Sequence, residues 1–232
     1  MIPLRDENPS RSVPVITWLL IVVNAAAFLY QLMQGAELRA FLDVWGMVPE
    51  RLTLALRGGE ESLAGPGLTL LTSMFLHGGW LHLVGNMWYL WIFGDNVEDR
   101  LGRGRYLLFY FGAGLAAALL HYALNPASPL PTVGASGAIA GVLGGYLVAF
   151  PRARVVTLIP FFPFIQIVAL PAVVVLGLWF VFQFFSGFLS LGFGAAGGGV
   201  AWWAHVGGFG FGLVAMRLLG GGRRPSSVAR VA

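Results

Sequence analysis

The stretch SGAIAGVLGGYLVAF, Ser136 to Phe150, carries no charge, opens on a serine and places Gly137, Gly141 and Gly145 on one helical face. A run so free of charge belongs among lipid or other apolar helices, and small residues four apart let a second backbone come close. Five further apolar runs lie at about 13–33, 81–97 and 105–124, within 164–189, and within 200–219. A bilayer span needs ~20 mostly apolar residues. These runs are continuous where barrel strands would alternate, which leaves helices as the spanning element. The predicted fold is an all-α membrane protein, a compact bundle of six transmembrane helices over residues 1–219.

Composition supports this reading. Of 232 residues, 57% are hydrophobic and 10% are charged, against roughly 25% charged in a soluble domain. The length leaves no room for a second large soluble domain. The small residues Ala25 to Ala27 sit inside the first run, so that run reads as a retained anchor and not a cleaved signal. There is no cysteine, which excludes disulfides, thiolate nucleophiles and Cys-ligated zinc.

The net charge of +4 comes from arginine alone. The arginines sit in short loops without interleaved aromatics, so they read as topology signals and not as a nucleic-acid surface. With the N-terminus inside, eleven of the 14 arginines fall on the cytoplasmic side, and only Arg39, Arg51 and Arg57 fall outside. Both termini are therefore expected to be cytoplasmic. The loop 34–79 is too long for a simple connector and is expected outside, partly amphipathic at the interface. The tail 220–232 is expected to be disordered on the cytoplasmic face.

Polar groups inside apolar helices are costly and call for an explanation. Ser136, in Gly134-Ala135-Ser136-Gly137, is either a helix N-cap or a nucleophile whose oxyanion is met by N–H groups at a helix start. Ala138 stands where a G-x-S-x-G elbow would have its last glycine, and no α/β pattern precedes it. His205 lies inside the last apolar run, either bonded to a neighbouring carbonyl or serving as a base. Gly208 and Gly212 form a small face beside it. If that face packs on Gly137, Gly141 and Gly145, Ser136 and His205 come within hydrogen-bond reach, as a serine nucleophile needs. His82 and Asn86, four apart at the start of the second helix, suit an oxyanion site or an interhelical hydrogen bond. His77 and His82, five apart, share a face poorly, and no acidic residue in the adjacent run completes a metal set.

Taken in order, the His77…His82…Asn86 element, Val97-Glu98-Asp99-Arg100-Leu101-Gly102, Gly134-Ala135-Ser136-Gly137 and Ala204-His205-Val206-Gly207-Gly208 resemble the rhomboid family of intramembrane serine proteases, in its bacterial six-helix form. The match runs from about residue 68 to 213. The resemblance implies a Ser–His dyad below the extracytoplasmic surface, with Ser136 as nucleophile and His205 as base and then acid. His82, Asn86 and the Ser136 N–H would form the oxyanion hole. No metal and no cofactor is implied. The implied partners are transmembrane protein substrates and the lipid bilayer of the cell inner membrane; no nucleic acid is among them, and the oligomeric state is left open.

The segment 186–199 resembles the family's flexible cap. Leu68 and Thr69 stand where many members carry a Trp-Arg pair. Ala140 stands where some place an aromatic under the histidine, so other packing must orient that ring. Glu98 and Arg100 read as structural.

A catalytically inactive relative that binds or chaperones membrane helices is the alternative; loss of Ser136 or His205 would mark it, and both are present. A transporter or channel would call for charged span cores or internal repeats, and neither is seen.

Overall fold

A computed structural model describes residues 1–59, 62–161, 163–193 and 200–220. The chain begins with a strand, β1 (Ile2–Asp6), followed by helix α1 (Val15–Leu32). Three short helices follow, α2 (Leu38–Trp45), α3 (Pro49–Leu56) and α4 (Ala64–Thr72), flanked by single 3₁₀ turns at Gly35–Glu37 and Ser73–Phe75. Then come α5 (Trp80–Leu101), α6 (Arg103–Leu124) and α7 (Ser136–Ala149). A hairpin of β2 (Arg154–Phe161) and β3 (Phe164–Pro171) leads into α8 (Ala172–Phe193), and α9 (Trp202–Leu219) closes the order.

The molecule is mostly helical, as its sequence predicts. Helices α1 and α6 and residues Ala172–Leu191 of α8 are each long and apolar enough to cross a bilayer, while α7 is a shorter apolar helix. With α5 and α9, these are the six helices expected. The outward surface is apolar at Leu81 (91% exposed), Leu218 (78%) and Leu108 (74%), as befits a surface that meets lipid and not water.

The helix expected within 164–189 starts later. Its first eight residues form β3, which pairs antiparallel with β2 from Arg154↔Pro171 to Phe161↔Phe164. β2 pairs antiparallel with β1 in turn, from Ile2↔Leu158 to Asp6↔Val155. Pro160 and Pro171 lack the N–H a helix needs, and the β-branched residues around them suit a pleated surface. The apolar run thus divides into a strand and a helix. Of the segment 186–199 expected as a cap, the residues up to Phe193 continue α8, and 194–199 lie outside the described residues, as does the tail beyond Gly220.

Helix α7 is the centre. Every residue from Gly137 to Tyr146 is buried, with Phe93, Phe109, Tyr106, Tyr110 and Phe209 packed in the same core. The glycines explain how the helices come so close. A Cβ on Gly208 would run into the Gly137 carbonyl, one on Gly212 into the Gly141 carbonyl, and one on Gly144 into the Phe209 carbonyl. Gly145 meets Phe109 of α6 as well as Met216 of α9, so α7 spends its small residues on two neighbours at once.

Two charged groups of α5 tie off other helices. Helix α1 has no capping side chain of its own. The Glu98 carboxylate takes that role, accepting hydrogen bonds from Ile16 N (3.0 Å), Thr17 N (2.8 Å) and Thr17 Oγ1 (2.9 Å). A carboxylate at a helix N-terminus satisfies amides that lack partners within the helix and complements its dipole. Arg100 Nη2 donates to the Gly220 carbonyl at the end of α9 (2.7 Å). The start of α1, the end of α5 and the end of α9 therefore lie at one end of the bundle. β1 lies against it too: Tyr146 Oη donates to Asp6 Oδ2 (2.5 Å) and Trp88 Nε1 to the Pro3 carbonyl (2.7 Å). Burial pushes the Asp6 carboxyl up to about 6, opposed by the Tyr146 hydroxyl.

The long first loop is built as a brace. Met47 and Thr132 exchange backbone hydrogen bonds (3.1 and 2.8 Å), Glu50 N donates to the Ser128 carbonyl (3.0 Å), and Gly134 N donates to the Ser73 carbonyl (2.9 Å). The segment leading into Ser136 is held on both sides before α7 begins.

Candidate active site

Ser136 opens α7 and His205 lies in the first turn of α9. The close approach of these two helices through their glycines sets His205 Nε2 2.8 Å from Ser136 Oγ. The other ring nitrogen, Nδ1, is 2.6 Å from Oε1 of Gln183 on α8. An amide oxygen accepts and cannot donate, so Nδ1 carries the proton and the Nε2 lone pair faces the Ser136 hydroxyl. A serine so paired has the arrangement of an activated nucleophile.

His82 and Asn86 stand one turn apart on α5 and line the same cavity as Ser136 and His205, about 980 Å³ in volume. Gly78 N donates to His82 Nδ1 (3.2 Å), which leaves the His82 proton on Nε2. That edge of the ring faces Gly134: a Cβ built there would lie 2.8 Å from His82 Nε2 and Cε1 and 3.6 Å from Ser136 Oγ. Gly134 also has φ +129°, a conformation side-chain-bearing residues rarely adopt. Both the backbone and the space demand glycine. Asn86 Nδ2 is buried with no hydrogen-bond partner among the described residues. It is an unspent donor in the wall of the cavity. The Ser136 amide belongs to the first turn of α7, where N–H groups lack partners within the helix. The site thus combines a serine, a base and three potential donors.

All four side chains singled out in the sequence line one cavity. His77 does not join them. It is fully buried, its backbone is held by Gln31 (Nε2 to the His77 carbonyl 2.6 Å, His77 N to Oε1 3.0 Å), and its ring lies 5.2 Å from that of His82. Burial, with His82 alongside, draws its pKa down to about 4, so it stands as a neutral spacer behind His82. Sequence reading missed Gln183 and Trp179, whose ring lies 5.9 Å from the His205 ring, tilted 36°. The signal was there: a glutamine one turn after a tryptophan in a run without charge.

The fold is that of a multi-pass helical membrane protein whose serine and histidine meet between two glycine-faced helices. The family model of the Rhomboid domain matches residues 65–221, and the chain belongs to the rhomboid family. It is 30% identical over 211 residues to Rhomboid protease GluP of Bacillus subtilis (strain 168), a match covering 89% of this chain and 35% of GluP. It is 40% identical over 147 residues to the Putative rhomboid protease YdcA of the same organism, covering 62% of this chain and 68% of YdcA. To the mitochondrial Presenilin-associated rhomboid-like protein of Homo sapiens it is 31% identical over 129 residues, covering 53% of this chain and 34% of that protein. The chain thus spans about a third of the length of GluP.

Proposed function

We propose that this protein is an intramembrane serine endopeptidase that cleaves transmembrane segments of other membrane proteins. The observation that carries the reading is the 2.8 Å contact of Ser136 Oγ with His205 Nε2, in a cavity shared with His82 and Asn86. Ser136 attacks the scissile carbonyl as His205 takes its proton; His205 then gives that proton to the leaving amine. The charge that develops on the carbonyl oxygen is met by His82 Nε2–H, Asn86 Nδ2–H and the Ser136 amide, where preorganised donors are worth most. Water entering the cavity releases the acyl-enzyme, with His205 again as base. No step calls for a metal or a cofactor.

Depth follows from helix length. α7 has 14 residues and rises about 21 Å, less than the ~30 Å hydrocarbon core. If its Ala149 end reaches one face, Ser136 lies beneath the other. The arginine bias puts the Ala149 end on the cytoplasmic side of the cell inner membrane and opens the cavity to the extracytoplasmic side. The loop 34–79 lies there, and the bundle 1–219 forms one domain.

The test is labelling of detergent-solubilised protein by a fluorophosphonate, alongside cleavage of a transmembrane reporter peptide. Wild type should label and cleave, and both activities should vanish in Ser136→Ala and His205→Ala. A folded wild type that neither labels nor cleaves would point to a protein that binds membrane helices without cutting them.

A further inference from the structure

We infer that Gln183 is a positioning residue for His205, the neutral counterpart of the carboxylate that completes a Ser–His–Asp triad; the inference rests on the proteolytic reading above. A buried amide inside a bilayer-length helix is costly unless bonded. Gln183 is only 5% exposed and lies in an α8 run without a charged residue. Its Oε1 is 2.6 Å from His205 Nδ1. That contact does two things. It holds the proton on Nδ1, so that Nε2 is the free base 2.8 Å from Ser136 Oγ. It also fixes the rotation of the ring, which Ala140, a buried methyl on α7, has no means to do.

Trp179 precedes Gln183 by one turn of α8 and lies against the same imidazole, ring centroids 5.9 Å apart. One face of α8 thus supplies both a packing surface and a hydrogen bond. A carboxylate in this position would need its own partner in a low-dielectric site. The carboxamide sets tautomer and orientation with no buried charge, and forgoes the electrostatic stabilisation of imidazolium that a triad aspartate gives. The competence of the base therefore depends on where α8 stands relative to α9.

The experiment compares full-length wild type, Ser136→Ala, Gln183→Met and Gln183→Glu in detergent. Gln183→Met keeps length and burial and removes the amide acceptor. Its kcat should fall roughly tenfold or more, the worth of one hydrogen bond to the base, with KM within about twofold. Gln183→Glu should restore the acceptor and much of kcat. Its pH–rate profile should move to higher pH on the acid side, because a carboxylate beside the ring favours the protonated form. Nitrogen NMR of ¹⁵N-histidine-labelled protein, assigned by His205→Ala, reads the tautomer directly: Nδ1–H alone in wild type, a mixture in Gln183→Met.

Unchanged kcat and an unchanged tautomer in Gln183→Met, with cleavage still dependent on Ser136, would overturn the inference. Wild-type cleavage that survives Ser136→Ala would instead bring down the proteolytic reading, and the NMR would still decide whether Gln183 governs the ring. Should Gln183→Met not fold, the wild-type tautomer and the Gln183→Glu profile decide: an Nε2–H wild type, or a Glu variant with an unmoved profile, overturns it.

Discussion

Gly78 donates its backbone N–H to Nδ1 of His82, and Gln183 offers a carbonyl oxygen to Nδ1 of His205. One histidine is left with a donor at Nε2 and the other with a lone pair there. In the proposed reaction two residues of the same type are thus suited to opposite tasks, one to stabilise developing negative charge and one to take a proton, by a single neighbour each. Asn86 adds a second donor, and its Nδ2 has no partner among the described residues to give up. Replacing it should therefore act on the transition state more than on binding. Asn86→Ala is expected to lower kcat by roughly 10²- to 10³-fold, the scale of one oxyanion donor, with KM little changed; steady-state kinetics on a transmembrane reporter peptide measures both. An unchanged kcat would remove Asn86 from the site.

At this scale the sequence is legible where chemistry is out of place in an apolar run, as at Ser136, His205, His82 and Asn86. Gln183 satisfies the same criterion and was passed over, because its meaning depends on a partner 22 residues away on another helix.

Between elements, the fit of α7 to α9 decides whether the site exists. Gly212 and Gly210 lie on the same helix and differ in what a methyl group would meet: the Gly141 backbone for the first, nothing within 4 Å for the second. Gly212→Ala should destabilise the protein by about 1–3 kcal/mol, as overpacking does, and lower Ser136 labelling as α9 is pushed away. Gly210→Ala should be neutral or stabilising by up to about 1 kcal/mol, since alanine is the better helix former. Denaturation in detergent, with probe labelling of the folded fraction, separates the two. The G-x-x-x-G faces show which helices meet, because close backbone contact needs small residues and these are visible in a sequence. The partition of each glycine is less visible: Gly144 closes on α9, while Gly145 is shared with Phe109 of α6. The hairpin of β2 and β3 was hidden for a different reason. Most of its residues are as apolar as a span, and Pro160, Pro163 and Pro171 with the β-branched residues around them are the signal that distinguishes the two.

For the whole molecule, Glu98 and Arg100 bring the beginning of α1 and the end of α9 to one end of the bundle. Which side of the membrane that end faces rests on the arginines. A reporter inserted after Arg224 should read as cytoplasmic, and one placed after Gly58, in the long first loop, as extracytoplasmic. The opposite pair of readings would invert the proposed topology.

The serine and histidine proposed to react stand far apart along the chain. Ser136 and His205 are 69 residues apart, and α9 is translated after every other helix described. On the proposed reading, the serine has no base until α9 enters the membrane and brings His205 to it. If the chain is the protease proposed, a ribosome still at work holds an unarmed chain, and a truncated product ending before α9 would be a helix bundle without the means to cut its neighbours.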